Sequence, residues 1–237
     1  MKVHFILRYH TRIGENCLIS FGQESPQLLT YLNEDLWHGV FEIDTKKYPT
    51  LFYQYHFQAK NGALTSEWET ERLLDLSDKS MDYQEVIDHW NPAGAIENTF
   101  LTQPFQNIFN PATAAAPTLG GKQTFSHVFK VKAPLVQAGQ SVCLLGHGAA
   151  LRAWDTAAPL VLKRDGNWWT IRLDLTQEDF PLGYKYGIWD HTGNRFLGFE
   201  TGNNRTLYAP SAGQKKHLIT LHDGFMRMPN NTWKGAG

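Results

Sequence analysis

Cysteine is scarce in this sequence, since Cys17 and Cys143 are the only two among 237 residues. Both lie in apolar, strand-like runs, so we interpret them as buried free thiols rather than as a disulfide. No CxxC or HExxH spacing is present, and the ten histidines show no spacing typical of metal ligands. The sequence therefore predicts neither a metal nor a cofactor.

An excess of one charge and long apolar runs are also lacking. The formal net charge is −1, which gives no bulk attraction for nucleic acid or for an anionic membrane. The apolar patch in the opening MKVHFILRYH is shorter than the roughly 7–15 residues of a secretory signal core. No run approaches the roughly 18 apolar residues of a membrane span. We expect a cytoplasmic protein with neither nucleic acid nor membrane as a partner.

Catalytic signatures are missing as well. No GxSxG, P-loop or dinucleotide-binding pattern appears. Glycoside hydrolysis needs two carboxylates that face one bond at about 5–9.5 Å. Glu69 and Glu200 are each followed by threonine, with no second acid fixed nearby. We therefore predict that these 237 residues contain no catalytic centre.

Aromatic residues, by contrast, are plentiful at 13% of the chain, and many of them occur twice at one spacing. The segment LFYQYHFQAKNGALTSEWET at 51 returns as LGYKYGIWDHTGNRFLGFET at 182, which is 131 positions later. This register sets Trp68 opposite Phe199 and Glu69 opposite Glu200. A match over so many aromatic and glycine positions indicates two homologous modules in tandem.

Each copy has the pattern of β structure. Runs such as VHFILRY, ENCLISFG and TLFYQYHF are strand-length, and several have period-two character. Asn61-Gly62 and Thr192-Gly193 mark hairpin turns, because glycine tolerates positive φ. We predict an all-β chain of two immunoglobulin-like β-sandwich modules in tandem, joined by a short helical linker segment.

The stretch between the copies differs from them in its residue pattern and composition. SDKSMDYQEVIDHW at 77 predicts a helix that ends at Asn91-Pro92, and an Ala/Pro/Gly-rich linker follows near 110–121. The expected parts are a first sandwich over 1–76, a helical segment and linker over 77–121, a second sandwich over 122–222, and a lead-in to a further domain over 223–237.

The second copy combines rings and polar groups that a plain core hairpin does not need. Trp154 lies in the polar, Ala-rich RAWDTAAP, where a core tryptophan is not expected. A pyranose ring has an apolar C–H face and a belt of hydroxyls, which suits an aromatic platform beside donors and acceptors. Arg205 is interpreted as a brace of the fold, and the strand tyrosines as core. The candidate site consists of Trp154 and Phe199 as platforms, Lys185 as donor, Glu200 as acceptor and Asn204 as both.

The order of motifs in this copy resembles the family 20 carbohydrate-binding module, the starch-binding domain. FKV at 129, LRAW at 151, NWW at 167, YKY at 184, FE at 199 and NNR at 203 follow the order of that family, over about 125–210. The resemblance implies that Trp154, Lys185, Phe199, Glu200 and Asn204 form the first glucan site of the family. Phe199 departs from the pattern, because the usual module has tryptophan there.

The first copy resembles the family more loosely, over about 2–76. Tyr31 falls where the loop tryptophan would be, Gln54 replaces the lysine, and Trp68 with Glu69 keeps the aromatic–acid pair. These four residues are the weaker candidate site of the first module. The second site of the family uses tyrosines in two other loops. We expect it to be absent or degenerate. Ile13 of the first copy and Val136 or Gln137 of the second fall near one of those places, and KRDG at 163 offers no ring at the other.

Nearly the whole chain is similar to the N-terminal part of the 4-α-glucanotransferases of glycoside hydrolase family 77, the amylomaltase-like, plant-type disproportionating form. In that family WKGAG leads into the catalytic barrel, so the resemblance implies a catalytic domain after Gly237. The expected partners are that domain and an α-1,4-glucan or maltooligosaccharide, and the expected function is non-catalytic glucan binding. Two alternatives stay open: a structural or dimerisation role for the first module, or an enzyme acting on glucans within this chain.

Overall fold

The protein is almost entirely β in its computed structural model, which describes residues 1–68, 72–78, 80–102, 125–210 and 217–228. The predicted all-β class is therefore confirmed. Two short 3-10 segments, Ile96–Leu101 and Arg152–Trp154, are the helical elements of the described ranges. The strands are β1 Lys2–Arg8, β2 Asn16–Phe21, β3 Gln27–Leu28, β4 Thr30–Asn33, β5 Leu36–Glu42, β6 Thr50–Gln58, β7 Leu64–Ser66, β8 Arg72–Asp75, β9 Tyr83–His89, β10 His127–Lys132, β11 Gln140–Gly146, β12 Leu160–Val161, β13 Lys163–Asp165, β14 Trp168–Leu173, β15 Leu182–Asp190, β16 Arg195–Phe199, β17 Arg205–Leu207 and β18 His217–Phe225.

The chain divides into two compact units. The first is Met1–Ala95 with Gly213–Gly224, and the second is Ile96–Ala212 with Phe225–Gly237. The first unit thus extends beyond the predicted 1–76, because it includes β9 and nearly all of β18. The linker predicted near 110–121 lies outside the described residues.

Two sheets form the first unit. One has the order β18-β9-β1-β5-β4, with β9 parallel to both β1 and β18. The other has β2 between β3 and β6, and β6 also pairs with β7 and β8. Alternation decides which side chains enter the core: Val3, Phe5 and Leu7 of β1 are fully buried, whereas His4 and Ile6 between them are half-buried.

The predicted helix at 77–90 is wrong, because Tyr83–His89 is the strand β9. This strand is paired on both edges, by β1 and by β18, and its first six residues are all buried. A central strand buried on both faces loses the alternation that identifies strands in a sequence. The acids of this strand are paired inside, Glu85 with His4 at 3.5 Å and Asp88 with Arg72 at 3.0 Å.

Asp88 is the centre of a buried polar network in the first unit. Its carboxylate accepts hydrogen bonds from the hydroxyls of Tyr53 at 3.0 Å and Tyr55 at 2.8 Å, from Arg72 Nη1 at 3.0 Å, and lies 2.7 Å from His222 Nδ1. Burial alone would raise the pKa of Asp88, but the charges of Arg72 and His222 outweigh it and lower the pKa well below its usual range. The network therefore ties β6, β8, β9 and β18 together through one ionised group.

The second unit repeats the two-sheet plan. In one sheet β14 pairs antiparallel with β10 and with β13, and in the other β15 pairs antiparallel with β11, β16 and β17. The aromatic residues interpreted as core are confirmed as such by their low exposure. They are Trp37 at 4%, Tyr53 at 1%, Tyr55 at 0%, Trp169 at 7%, Tyr184 at 0% and Tyr186 at 0%.

Two smaller predictions have different outcomes. Cys17 and Cys143 are buried free thiols, as predicted, and burial raises the pKa of each to about 12. At the second hairpin, the residue with positive φ is Asn194, at 46°, rather than Gly193, whereas Gly62 of the first hairpin has φ 85°. Asparagine tolerates the left-handed region better than other non-glycine residues, which explains its place in this turn.

In the described ranges, no helix has the length and apolar character that a membrane crossing needs.

We predict that Asp88→Ala destabilises the protein by about 3–5 kcal/mol. The substitution leaves Arg72 Nη1 and two tyrosine hydroxyls buried without their acceptor, while Glu67 still pairs with the rest of the guanidinium. Urea unfolding followed by tryptophan fluorescence measures this change. Asp82→Ala is the matched control, since Asp82 is exposed, and its effect should stay within about 0.5 kcal/mol. Equal effects for the two variants would contradict a central role for Asp88.

Candidate functional site

A strained turn after β11 presents Trp154 at the surface of the second unit. Arg152, Ala153 and Trp154 have φ of 64°, 45° and 64°, the left-handed region that side chains other than glycine rarely adopt. Such strain persists only where the surroundings hold it, and it clusters at functional sites. The turn is held at its base, where Leu151 is fully buried and its carbonyl accepts a hydrogen bond from Gly146 N at 2.9 Å.

The carboxylate of Glu178 stabilises the middle of this turn. Its Oε1 accepts a hydrogen bond from Ala150 N at 2.6 Å. Gly148 lies against the same carboxylate with φ 82°, and a Cβ there would collide with it. The amide of Ala153 donates to the Gly148 carbonyl at 2.9 Å, which closes the turn. The position of Trp154 is therefore set by backbone hydrogen bonds rather than by burial of its own ring.

The indole of Trp154 is half-buried and stands between two other rings. The centroid of His147 lies 5.4 Å away at 85°, and that of Phe199 lies 5.9 Å away at 76°. Phe199 in turn contacts Phe196 at 4.7 Å, so the platform is backed by a small aromatic cluster. Two predicted residues, Trp154 and Phe199, are thus brought together, on the turn after β11 and at the end of β16.

The polar residues of the prediction lie on and beside β15. Lys185 is half-buried and alternates with Tyr184 and Tyr186, whose rings point into the core. Gly183 lies on the same side of β15 as Lys185. A Cβ on Gly183 would lie 2.9 Å from His147 Nδ1 and 3.8 Å from Asn204 Nδ2. The absence of a side chain at Gly183 therefore lets His147 and Asn204 approach each other.

His147 is a residue of this site that our sequence reasoning missed. It is exposed, contacts the Trp154 ring, and its amide donates to the Gly183 carbonyl at 2.8 Å. A histidine that follows an apolar strand and precedes Gly148 carries little signal by itself. Its importance becomes visible only when the turn folds back over the start of β15.

Glu200 is placed differently from the surface acceptor that was predicted. Its side chain is fully buried, and both oxygens accept from Arg205, Nε to Oε1 and Nη2 to Oε2, at 2.8 Å each. Arg227 N and Nε also donate to Oε2, at 3.1 and 3.2 Å. Burial by itself would raise the pKa of Glu200, but the hydrogen bonds of Arg205 and Arg227 lower it to about 2. The carboxylate therefore braces the fold, as does Arg205, and does not reach a ligand.

The brace continues to the loop that carries Asn204. Arg227 Nη2 donates to the Asn203 carbonyl at 2.8 Å, and Gly202, with φ 78°, lies beside the same guanidinium. Glu200 thus orients Arg227, and Arg227 holds the loop. Asn204 itself is exposed at the end of this chain of contacts.

The first unit repeats the brace but with a different acid. Arg72 Nε and Nη2 donate to Glu67 at 2.8 Å each, and Tyr55 N donates to Glu67 Oε1 at 3.3 Å, as Tyr186 N does to Glu200. Glu67 is therefore the equivalent of Glu200, 133 positions before it. The predicted pairing of Glu69 with Glu200 is corrected accordingly, and Glu69 lies outside the described residues.

The same shift moves the aromatic partner. Ser66 pairs with His56 across the hairpin as Phe199 pairs with Gly187, so Ser66 occupies the position of Phe199. Trp68 is instead the equivalent of Thr201. The amide of Trp68 donates to the Asn91 carbonyl after β9 at 2.9 Å, and the amide of Thr201 donates to the Arg227 carbonyl after β18 at 2.8 Å. Trp68 therefore does not occupy the position of Phe199.

The remaining first-module candidates do not come together either. Tyr31 lies in β4, edge-on to Trp37 at 5.4 Å, whereas Gln54 lies in β6 of the other sheet. The loop that corresponds to the Trp154 turn is GQESP, which contains no ring. Phe52 occupies the position that Gly183 has in the second unit. Phe52 pairs with Leu73 of β8, as Gly183 pairs with Thr206 of β17. Among the residues that the structure describes, the first unit thus has no counterpart of the Trp154 site.

Tyr31 does line a groove of its own, of about 780 Å³. Trp37 and Glu34 form part of its wall, and Ile13, which is 98% exposed, stands at its border. This groove, the Tyr31 groove below, joins one exposed ring to acidic and basic side chains. It belongs to the first unit alone.

Metal chemistry is not indicated by the arrangement of side chains. Across the ranges that the structure describes, no group of three or more His, Cys, Asp or Glu side chains is arranged to hold a metal ion.

Comparison with known proteins assigns the second unit. Residues 124–219 match the family model described as the starch binding domain, CBM20. The resemblance of the second copy to family 20 carbohydrate-binding modules is thus confirmed. Among solved structures, the family 20 module of a maltotetraose-forming amylase from Pseudomonas saccharophila STB07 is 19% identical over 40% of this chain and 97% of its own, with a TM-score of 0.32. A family 15 glucoamylase from Hypocrea jecorina is 22% identical over 43% of this chain and 17% of its own, with a TM-score of 0.36.

The similarity to a 4-α-glucanotransferase is confirmed over nearly the whole chain. The 4-alpha-glucanotransferase DPE2 of Oryza sativa subsp. japonica is 29% identical over 260 aligned positions, which cover 98% of this chain. The alignment covers 26% of that protein, so this chain spans about a quarter of the length of the curated relative.

We predict that acid weakens the second unit through Glu200. Its folded pKa of about 2 lies below the ordinary 4.5, so its contribution to stability is present above pH 4.5 and is lost as the pH falls toward 2. Glu200→Gln removes the charge at every pH. The difference in melting temperature between wild type and this variant, measured by circular dichroism, should therefore shrink from pH 6 toward pH 2. A constant difference would show that the carboxylate charge does not matter.

Proposed function

We propose that the second unit is a non-catalytic binding site for α-1,4-glucans, in the N-terminal part of a cytoplasmic 4-α-glucanotransferase. The observation that carries this proposal is the half-buried indole of Trp154, held by a strained turn beside donors and a second ring. The match of residues 124–219 to the starch binding domain supports the choice of ligand. The site comprises Trp154, Phe199, Lys185, Asn204 and His147.

Stacking on the indole supplies most of the binding free energy. Covering ~80 Å² of apolar surface with the face of a glucose residue gains on the order of 2 kcal/mol. Phe199, perpendicular to the indole, borders the same sugar with its edge or face. A phenyl ring covers less area than an indole, so this second contact is weaker than the one at Trp154.

The hydroxyls of the sugar find their partners around the ring. Lys185 donates, Asn204 donates and accepts, and the His147 ring offers one donor and one acceptor when neutral. Each neutral hydrogen bond adds about 1 kcal/mol net. After the cost of ordering a flexible glucan, we expect an affinity in the micromolar range. Glu200 acts as a positioning residue through Arg227 and the Asn203 carbonyl.

For the parent protein we propose transfer of glucosyl units between α-1,4-glucans, with catalysis outside residues 1–237. The similarity to the rice 4-alpha-glucanotransferase supports this role. Residues 1–237 would then hold a glucan chain close to the active site. Raising the local concentration of substrate in this way increases turnover of long glucans without new catalytic groups.

The first unit has two candidate roles. Its Tyr31 groove offers an exposed ring, 56% accessible, together with Trp37 and Glu34, which favours a second and weaker glucan site. The loss of a Trp154 counterpart, with Phe52 and Ser66 at the site positions, favours the structural or dimerisation role. We favour binding at the Tyr31 groove, because an exposed tyrosine in a concave surface suits a sugar better than it suits a purely structural element.

We predict that Trp154→Ala lowers the affinity for β-cyclodextrin about 30-fold, the factor that ~2 kcal/mol of stacking implies. Isothermal titration calorimetry on the 237-residue chain measures the affinity. Tyr208→Ala is the matched control, because Tyr208 is an aromatic residue of the same unit that is 68% exposed. The control should bind like the wild type and melt at the same temperature. Unchanged affinity in folded Trp154→Ala would overturn the site.

The two roles of the first unit make different predictions for Tyr31→Ala. If the Tyr31 groove binds glucan, Tyr31→Ala in the Trp154→Ala background weakens the residual retention on insoluble starch about tenfold. Tyr48→Ala, which removes another exposed tyrosine of the first unit, should not. Retention that Tyr31→Ala leaves unchanged would favour the structural or dimerisation role, which sedimentation equilibrium then tests.

A further inference from the structure

Two aromatic rings lie side by side at one end of the first unit, at a place that the sites described above do not use. Tyr9 follows β1 and Trp90 follows β9. Because these strands are parallel neighbours, their carboxyl ends meet at the same edge of the sheet. The amide of Trp90 donates to the Arg8 carbonyl at 3.2 Å, which fixes the two rings next to each other.

The two rings pack against each other. The centroids of Tyr9 and Trp90 are 4.8 Å apart and their planes are tilted by 32°, so the rings overlap in part. Phe57 supports Tyr9 edge-on at 5.6 Å and 80°. Both rings also pack in part against the core and are half-buried, so part of each faces solvent. The pair therefore exposes apolar surface from two aromatic side chains at one place.

Polar side chains border this surface. His10 Nδ1 and Asp35 Oδ1 form an exposed pair at 2.8 Å, and Arg8 lies 3.5 Å from the buried Asp223. Arg8, His10, Asp35 and Pro92 line, together with the two rings, a groove of about 370 Å³. This groove, the Tyr9–Trp90 groove, falls in the size range of small-ligand sites. Acidic and basic groups occur together along it. The rim therefore suits a neutral ligand with many hydroxyls better than an anion or a cation.

The second unit lacks these rings at the equivalent positions. There the amide of Met226 donates to the Lys132 carbonyl at 2.8 Å, as Trp90 does to Arg8. The residue after Lys132 is Ala133, which is 2% exposed, and Met226 is 5% exposed. A small apolar pair is thus sufficient to close this end of the sandwich. The larger, partly exposed rings of the first unit need a different explanation.

We infer that the Tyr9–Trp90 groove is a binding site for a linear α-glucan in the first unit, with the sugar lying against the solvent-exposed parts of the two rings. His10 lines both this groove and the Tyr31 groove, so a linear polymer rather than a compact ligand fits the combined surface. The His10–Asp35 pair supplies a donor and an acceptor for hydroxyls at the junction. The choice of glucan as the ligand rests on the function proposed above, whereas the site itself does not involve Trp154.

The test uses the 237-residue chain and maltoheptaose as the probe. Tyr9→Ala with Trp90→Met gives the first unit the residues that the second unit carries, which preserves closure of the core. In the Trp154→Ala background, this double substitution should weaken the residual binding of maltoheptaose about tenfold in isothermal titration calorimetry. Tyr48→Ala in the same background is the control and should leave it unchanged.

A second readout follows Trp90 directly in otherwise wild-type protein. The indole N–H resonance of Trp90, identified by its loss in Trp90→Met, should shift on titration with maltoheptaose. A shift of the Trp154 resonance without one at Trp90 would overturn the groove and leave the proposed function standing. No shift at either residue would overturn both. Residual binding that depends on Tyr31 but not on Tyr9 and Trp90 would also overturn the inference.

Discussion

The buried acid–arginine pair in each unit is the contact on which the rest of the architecture depends. Glu67 with Arg72, and Glu200 with Arg205, each form two parallel hydrogen bonds of 2.8 Å, and both carboxylates are fully buried. Such a pair is costly to bury and more costly to break, since one partner alone would be an uncompensated charge. Each acid also accepts hydrogen bonds from two backbone amides. Those of Tyr55 and Asn91 donate to Glu67, and those of Tyr186 and Arg227 donate to Glu200. Four parts of the sandwich therefore depend on one carboxylate.

This shared scaffold carries different surfaces in the two units. In the second unit Gly183 leaves room for His147 and Asn204, and the turn after β11 brings Trp154 against Phe199. In the first unit Phe52 fills the position of Gly183 and Ser66 that of Phe199. Aromatic residues there lie at other edges instead, at Tyr31 and at Tyr9 with Trp90. The two units thus share the acid–arginine brace, whereas the rings that could meet a ligand lie at different positions in each.

The predictions from sequence succeeded where local pattern and burial agree. Period-two alternation identified β1, β2 and β6, and regular spacing identified the tyrosines of β6 and β15 as core. The predictions failed where two similar residues could each be assigned to the same position of the repeat. Glu67 and Glu69 are both acids within three positions, and the second hairpin is two residues longer than the first, from Gly187 to Phe199 against His56 to Ser66. An ungapped alignment of the two copies therefore paired Glu69, rather than Glu67, with Glu200. The helix predicted over 77–90 failed for a related reason, because the buried partners of Glu85 and Asp88 are distant in the sequence: His4, Arg72 and His222.

Composition, alternation and the internal repeat by themselves determined the all-β class, the aromatic cores and the buried free thiols, and the order of the motifs carried the resemblance to a starch-binding domain. These follow from short-range periodicity and from residue order, which a sequence displays directly. Only the tertiary structure decided that Glu200 is a brace rather than a ligand contact, that His147 joins the Trp154 site, and that Tyr9 lies beside Trp90. Each of these depends on contacts between residues far apart in the chain, and burial of a charge or proximity of two rings has no signature in the local sequence.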